Sequence, residues 1–116
     1  MKKLILVAAA FAALPFAAQA RPAPARCVVD SAGEAPYSGP CRFLSEGKGS
    51  FDLEPAGRRV FSGDVTGVSV SMTGPGTAEV SGLTRSGVES RWGPAHRSRR
   101  DPACWKGEDF RICVYR

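Results

Sequence analysis

The sequence predicts a mostly β protein, a small antiparallel β-sandwich or barrel stapled by disulfides. Apolar and polar residues alternate with a period of two in several short segments, as in half-buried strands. The 116 residues include 13 glycines and 9 prolines, and beyond the first 20 residues no ten-residue stretch combines a helical period with freedom from both. One domain is expected, because two domains would need roughly 100 residues each.

Residues 1–20 are predicted to be a signal peptide. Two lysines precede an apolar stretch from Leu4 to Ala18, and Ala18-Gln19-Ala20 forms an A-x-A cleavage site. The apolar run is shorter than the roughly 20 residues that a membrane-spanning helix needs. We therefore expect a mature chain that begins at Arg21, has no transmembrane segment, and occupies the periplasm or the extracellular space.

The four cysteines of the mature chain are expected to form disulfides, because that compartment is oxidising. They are Cys27, Cys41, Cys104 and Cys113. Three pairings are possible, and we favour Cys27–Cys41 with Cys104–Cys113 because each local pair brackets a plausible hairpin. Closing the first loop contributes about 3 kcal/mol in the chain-entropy model. A zinc site is disfavoured because the tight C-x2–4-C spacing is missing, so we expect no metal and no cofactor.

The mature chain divides into a flexible Pro/Ala lead-in at 21–26 and a single β domain at 27–116. Turn residues separate the first expected strands. Those strands lie at 27–29, 37–44, 50–54 and 58–61.

The clearest alternation lies at 68–72, where Val68, Val70 and Met72 share one face and two serines share the other. A Gly-Pro-Gly turn follows, so residues 65–83 are predicted to form a hairpin. Further strands are expected at 88–92 and 110–115. In the last of these, the core-facing residues are expected to be Phe110, Ile112 and Val114.

Positive charge is concentrated late in the chain. The sequence holds 16 basic and 11 acidic residues, a net charge of +5, which falls to +3 without the two signal-peptide lysines. Residues 21–84 carry a net charge of −1 and residues 85–116 carry +4. The candidate binding residues are Arg97, Arg99 and Arg100 in a basic loop, with Trp92 and Trp105 on either side.

Guanidinium groups suit phosphate and carboxylate, and the tryptophans could add stacking surface. The alternative is a solvated loop that binds nothing. For both tryptophans we favour packing in the core over contact with a ligand. Candidate partners in this compartment are anionic lipid, polysaccharide and acidic proteins. Nucleic acid is not expected, because a charge of +3 is modest for that role.

Catalysis has little support in the sequence. His96 is the single histidine, and a general base there would need a carboxylate such as Asp101 or Glu108. No serine occupies a G-x-S-x-G turn, and the cysteines are assigned to disulfides. We therefore predict no catalytic residues and interpret His96 as an exposed or locally hydrogen-bonded loop residue.

The C-terminal region carries a recognisable pattern. Its Ser90-Arg91-Trp92-Gly93 segment is followed by a run from Ala103 to Cys113 that reads ACWKGEDFRIC. This ending resembles that of small secreted proteins of Gram-negative bacteria with no known activity. The resemblance implies an envelope location and a disulfide-bonded β domain, and it implies no functional residue.

These observations favour a non-enzymatic secreted or periplasmic binding module that engages an anionic envelope component through the basic loop. One alternative is a small enzyme inhibitor, similar in size and class to the periplasmic lysozyme inhibitors. Their Ser-Gly-x-x-Tyr motif is not matched, because Ser38-Gly39 is followed by Pro40-Cys41-Arg42. The other alternative is a small hydrolase that uses His96.

Overall fold

A computed structural model describes residues 21–116, which form a closed antiparallel barrel of eight strands. Each strand pairs with the next along the chain, and the last returns to the first. The strands are β1 (Ala23–Ser31), β2 (Tyr37–Gly47), β3 (Ser50–Pro55), β4 (Val65–Gly74), β5 (Thr77–Thr84), β6 (Glu89–Arg97), β7 (Cys104–Lys106) and β8 (Phe110–Tyr115).

The barrel confirms the predicted fold class. The predicted signal peptide, residues 1–20, lies outside the described residues. Within residues 21–116, no helix is long and apolar enough to cross a membrane.

Alternating side chains fill the barrel interior. Leu53, Val70, Val80 and Ile112 are each 0% exposed, and cross-strand neighbours such as Val70 and Val80 meet directly. The predicted core residues Val68, Val70, Phe110 and Ile112 are all buried. Met72 and Val114 pack against this core but are only partly buried.

The two ends of the barrel differ. One end, here called the mouth, carries the β2–β3 and β4–β5 turns, the loop 98–103 and the end of β8. The opposite end is closed by the loop 56–64, whose Phe61 is 1% exposed. Its ring packs edge-on against Tyr37, with 5.1 Å between the ring centroids.

The predicted strand at 58–61 is therefore wrong. Gly57 and Gly63 adopt positive φ angles of 73° and 55°, which turn the chain out of the sheet on either side of the segment. Between them, the Phe61 N–H donates to the Val65 carbonyl at 2.8 Å. Phe61, which the sequence pattern placed in a strand, instead covers the end of the core.

The flexible lead-in at 21–26 is also corrected, because β1 begins at Ala23. Its first residues pair with β2, whereas pairing with β8 starts only at Arg26. Pro24 therefore lies where the strand has a neighbour on one side only, which is where a strand tolerates a residue without an N–H.

Both predicted disulfides are present. Cys27–Cys41 joins β1 to β2, with 5.8 Å between the Cα atoms, and Cys104–Cys113 joins β7 to β8, with 4.0 Å. Cys104 and Cys113 are direct cross-strand partners.

The β7 strand, which the alternation did not predict, closes the barrel. Its pairing with β6 is limited to His96 with Lys106 and Arg97 with Trp105. This junction between β6, β7 and β8 is called the seam below. Trp105 is 3% exposed and anchors the seam in the core.

Replacing Ile112 by alanine is expected to lower the free energy of unfolding by about 2–5 kcal/mol, through lost burial and a residual cavity. The matched controls are Ser69→Ala and Ser71→Ala on the outward face of β4, which should stay within about 0.5 kcal/mol of wild type. Urea unfolding measures all three. A larger loss in either serine variant would mean that the β4 register is inverted.

Candidate functional site

The basic loop is held by backbone and side-chain hydrogen bonds at the mouth. The Ser98 N–H donates to the Cys104 carbonyl at 2.8 Å, and the Cys104 N–H donates to the Asp101 carbonyl at 2.9 Å. The Asp101 carboxylate accepts from the Ala103 N–H at 3.0 Å and from the Tyr115 hydroxyl at 2.6 Å. None of these bonds uses an arginine side chain, so the loop has a defined shape without them.

The Asp101–Tyr115 contact shifts both titrations. The Tyr115 hydroxyl, and then the Ala103 N–H, hold the pKa of Asp101 below its ordinary value of 3.8. The same hydrogen bond raises the pKa of Tyr115 above 10.0. Asp101 is thus a structural acceptor for the loop.

The prediction that Arg97 lies in the basic loop is wrong, because it is the last residue of β6, and only Arg99 and Arg100 lie in the loop. None of these three arginines has a carboxylate partner in the described part of the chain. The ion pairs among residues 21–116 are Arg42–Glu54, Arg85–Asp64 and Arg91–Glu79, and none involves Arg97, Arg99 or Arg100. Their positive charge is therefore not neutralised within the part of the chain that the structure describes.

Two arginines lie over aromatic rings at the mouth. The Arg97 guanidinium carbon is 4.8 Å from the centroid of Trp105, and that of Arg116 is 4.4 Å from the centroid of Phe43. A depression of about 300 Å³ lies between them, with Phe51 in its lining. The mouth surface, as used below, consists of Arg97, Arg99, Arg100 and Arg116.

The two tryptophans pack in or against the core, as favoured from the sequence. Trp105 is buried, and Arg97 covers its ring. Trp92 is half-buried, and the centroid of its ring lies 5.9 Å from that of Phe110. Its indole also lies against Gly82, where an added Cβ would approach to 2.6 Å. Trp92 therefore packs against the core through contacts with β5 and β8.

His96 lies in β6 and not in a loop, so that part of its interpretation is wrong. Its exposed side chain borders a shallow depression of about 560 Å³ together with Arg99, Lys106 and Glu108. No hydrogen bond joins His96 to Glu108 in the described structure, and Asp101 is engaged by Tyr115. Within residues 21–116, no group of three or more His, Cys, Asp or Glu side chains is placed to hold a metal ion.

Sequence reasoning missed a second basic surface, here called the arginine depression. It has a volume of about 470 Å³ and includes four arginines from three separate parts of the chain. These are Arg42, Arg58, Arg59 and Arg85. The Arg58-Arg59 dipeptide was the one available signal, and the net charge of −1 over residues 21–84 concealed it.

Replacing Tyr115 by phenylalanine is expected to raise the pKa of Asp101 towards 3.8, because the carboxylate loses its main hydrogen-bond donor. A carboxyl whose folded-state pKa is lowered stabilises the fold above its ordinary pKa, and this stabilisation is lost as the pH falls through the folded-state value. Just below pH 3.8, the free energy of unfolding should therefore depend less steeply on pH in the variant than in the wild type.

Carbon-detected NMR titration of the Asp101 carboxyl measures this change. The matched control is Tyr37→Phe, which removes a hydroxyl bonded to the Pro40 carbonyl and should leave Asp101 unaffected. An Asp101 pKa that stays equally low in Tyr115→Phe would show that another group holds it.

Comparisons with known proteins do not identify a relative. A scan against protein-family models, a search of curated proteins and a search of solved structures each find no match.

Proposed function

We propose that this protein is a non-enzymatic secreted or periplasmic binding module whose mouth surface binds an anionic component of the cell envelope. The observation that carries the proposal is the independence of the loop from its arginines. Hydrogen bonds of Ser98, Asp101 and Tyr115 fix the loop, while Arg99 and Arg100 are exposed and have no carboxylate partner among residues 21–116. Binding to an anionic partner is a direct use for charges that the fold does not need.

The compartment is inferred from two features. The predicted signal peptide directs export, and the two disulfides are compatible with an oxidising space outside the cytoplasm. The anions accessible there include lipid headgroups and acidic polysaccharide. A surface with several cations attracts such polyanions before contact and binds them in a salt-dependent manner.

A second candidate function is inhibition of an enzyme by the same loop. The observation that favours it is the set of hydrogen bonds that fixes the shape of the segment 98–103, because a loop that already has its shape loses little entropy on binding. A hydrolase that uses His96 has weaker support, since no described carboxylate forms a hydrogen bond with that side chain.

Replacing both Arg99 and Arg100 by serine is expected to abolish retention on anionic lipid vesicles or on immobilised acidic polysaccharide. The melting temperature should stay nearly unchanged, because neither side chain contributes to the hydrogen bonds of the loop. Wild-type retention should weaken from 0.1 M to 1 M salt, as the Debye length falls from about 10 Å to about 3 Å. Comparing the two supports separates lipid from polysaccharide.

The matched control is the pair Arg58→Ser and Arg59→Ser, which removes the same charge from the arginine depression. It should keep most of the retention. Equal retention of wild type and the Arg99/Arg100 variant at every salt concentration would contradict the proposal. Equal loss in both double variants would show that net charge, and not the mouth surface, causes retention.

A further inference from the structure

We propose that the arginine depression is a second, separate binding site for a phosphoryl group, carried by a small phosphate monoester or a pyrophosphate. The depression is lined by guanidiniums from β2, from the loop 56–64 and from the turn after β5. None of the mouth-surface arginines lines it. Its volume, about 470 Å³, falls within the range of small-molecule sites.

The loop that carries Arg58 and Arg59 is anchored at both ends. The Ala56 N–H donates to the Pro40 carbonyl at 3.4 Å, and the buried Phe61 holds the other end in the core. The Arg85 N–H donates to the Asp64 carbonyl at 3.1 Å, which ties the turn after β5 to the same loop. The fold therefore places these arginines together before any ligand binds.

The individual guanidiniums are only partly engaged. Arg42 forms an ion pair with Glu54 but keeps 54% of its side chain exposed. Arg58 lies over the Tyr37 ring, with its guanidinium carbon 5.2 Å from the ring centroid, and the residue is exposed. Arg85 is 3.9 Å from Asp64, too far for a hydrogen bond.

Arg59 completes the set of donors. It takes part in no ion pair and in no stacking contact within residues 21–116. The Thr66 hydroxyl, which also lines the depression, already donates to the Leu83 carbonyl at 3.1 Å. Recognition would therefore come from the guanidiniums.

The charge balance favours a phosphoryl group with more than one negative charge over a single carboxylate. Four guanidiniums face two carboxylates, those of Glu54 and Asp64, so two positive charges are left uncompensated. A phosphate monoester carries about −1.5 to −2 near neutral pH and offers three acceptor oxygens. A single carboxylate would leave one positive charge unmatched. Guanidinium forks bind phosphate oxygens in a bidentate manner.

The test is an NMR titration of the disulfide-bonded protein with sodium pyrophosphate and, separately, with a hexose phosphate, at ionic strength held constant with sodium chloride. We expect saturable shifts of the side-chain N–H signals of Arg58, Arg59 and Arg85. The two titrants distinguish a free pyrophosphate ligand from a phosphate monoester on a sugar. Vesicles that contain anionic phospholipid form a third arm, in which the phosphoryl group belongs to a lipid.

The variants Arg58→Ser/Arg59→Ser and Arg99→Ser/Arg100→Ser remove equal charge from the two surfaces. The first should lower the affinity for the preferred titrant at least about tenfold, the effect expected from losing charge-assisted hydrogen bonds. The second should leave unchanged the affinity for pyrophosphate or the hexose phosphate that is read from the signals of Arg58, Arg59 and Arg85. If the wild-type protein shows saturable shifts here but no retention on the anionic supports, only the proposed function is overturned. If it is retained on those supports but shows no saturable shifts here, only this inference is overturned.

Arg59→Ser by itself keeps the test decisive if removal of Arg58 from Tyr37 disturbs the fold, since Arg59 stacks on no ring. It should still weaken binding. Shifts that grow linearly without saturation in the wild type, or equal affinities in the wild type and the Arg58/Arg59 variants, would overturn the proposal.

Discussion

The narrow seam that closes the barrel is the constraint on which the rest of the structure depends. The β1–β2 pairing extends over seven residue pairs, whereas only His96 and Arg97 of β6 pair with β7. Two residue pairs supply few ladder hydrogen bonds, so the junction of β6 and β7 depends on further contacts. Cys104–Cys113 fixes β7 to β8, and the buried Trp105 anchors β7 in the core. Without these two links, β6 and β8 would become exposed sheet edges.

The mouth surface is a consequence of that seam. The loop 98–103 runs from the end of β6 to Cys104, so its two ends are fixed by the strands that the disulfide holds. Tyr115, near the end of β8, reaches back to Asp101 and completes the support. At the opposite end, Phe61 covers the core. Arg58 and Arg59, in the same loop, line the arginine depression. The same barrel thus supports two basic surfaces by two different means.

Alternation predicted the hairpin at 65–83 because a period of two places Val68, Val70 and Val80 on the face of the strands that is turned to the core. The disulfides were predictable because each pair is close in sequence and brackets adjacent strands. These features depend on local patterns, and local patterns are what a single sequence displays.

Other features depend on tertiary contacts. A three-residue strand such as β7 has no measurable period, and its pairing depends on a disulfide and on Trp105. Phe61 reads as a strand residue, but its burial at the end of the barrel overrides that propensity. The arginine depression joins residues as far apart as Arg42 and Arg85, so neither half of the chain reveals its charge. The basic loop was visible because its arginines are consecutive or nearly so.

The most direct test of the seam is native-state hydrogen exchange on Cys104→Ser/Cys113→Ser, with Cys27→Ser/Cys41→Ser as the matched control. Losing either disulfide is expected to cost about 2–4 kcal/mol of global stability. In the first variant, the amides of β6, β7 and the loop 98–103 should in addition lose protection at denaturant concentrations where β3, β4 and β5 remain protected. In the control, β6 and β7 should lose no more protection than the rest of the barrel. Uniform loss of protection in both variants would contradict the account, because the seam would then be no weaker than the other strand pairings.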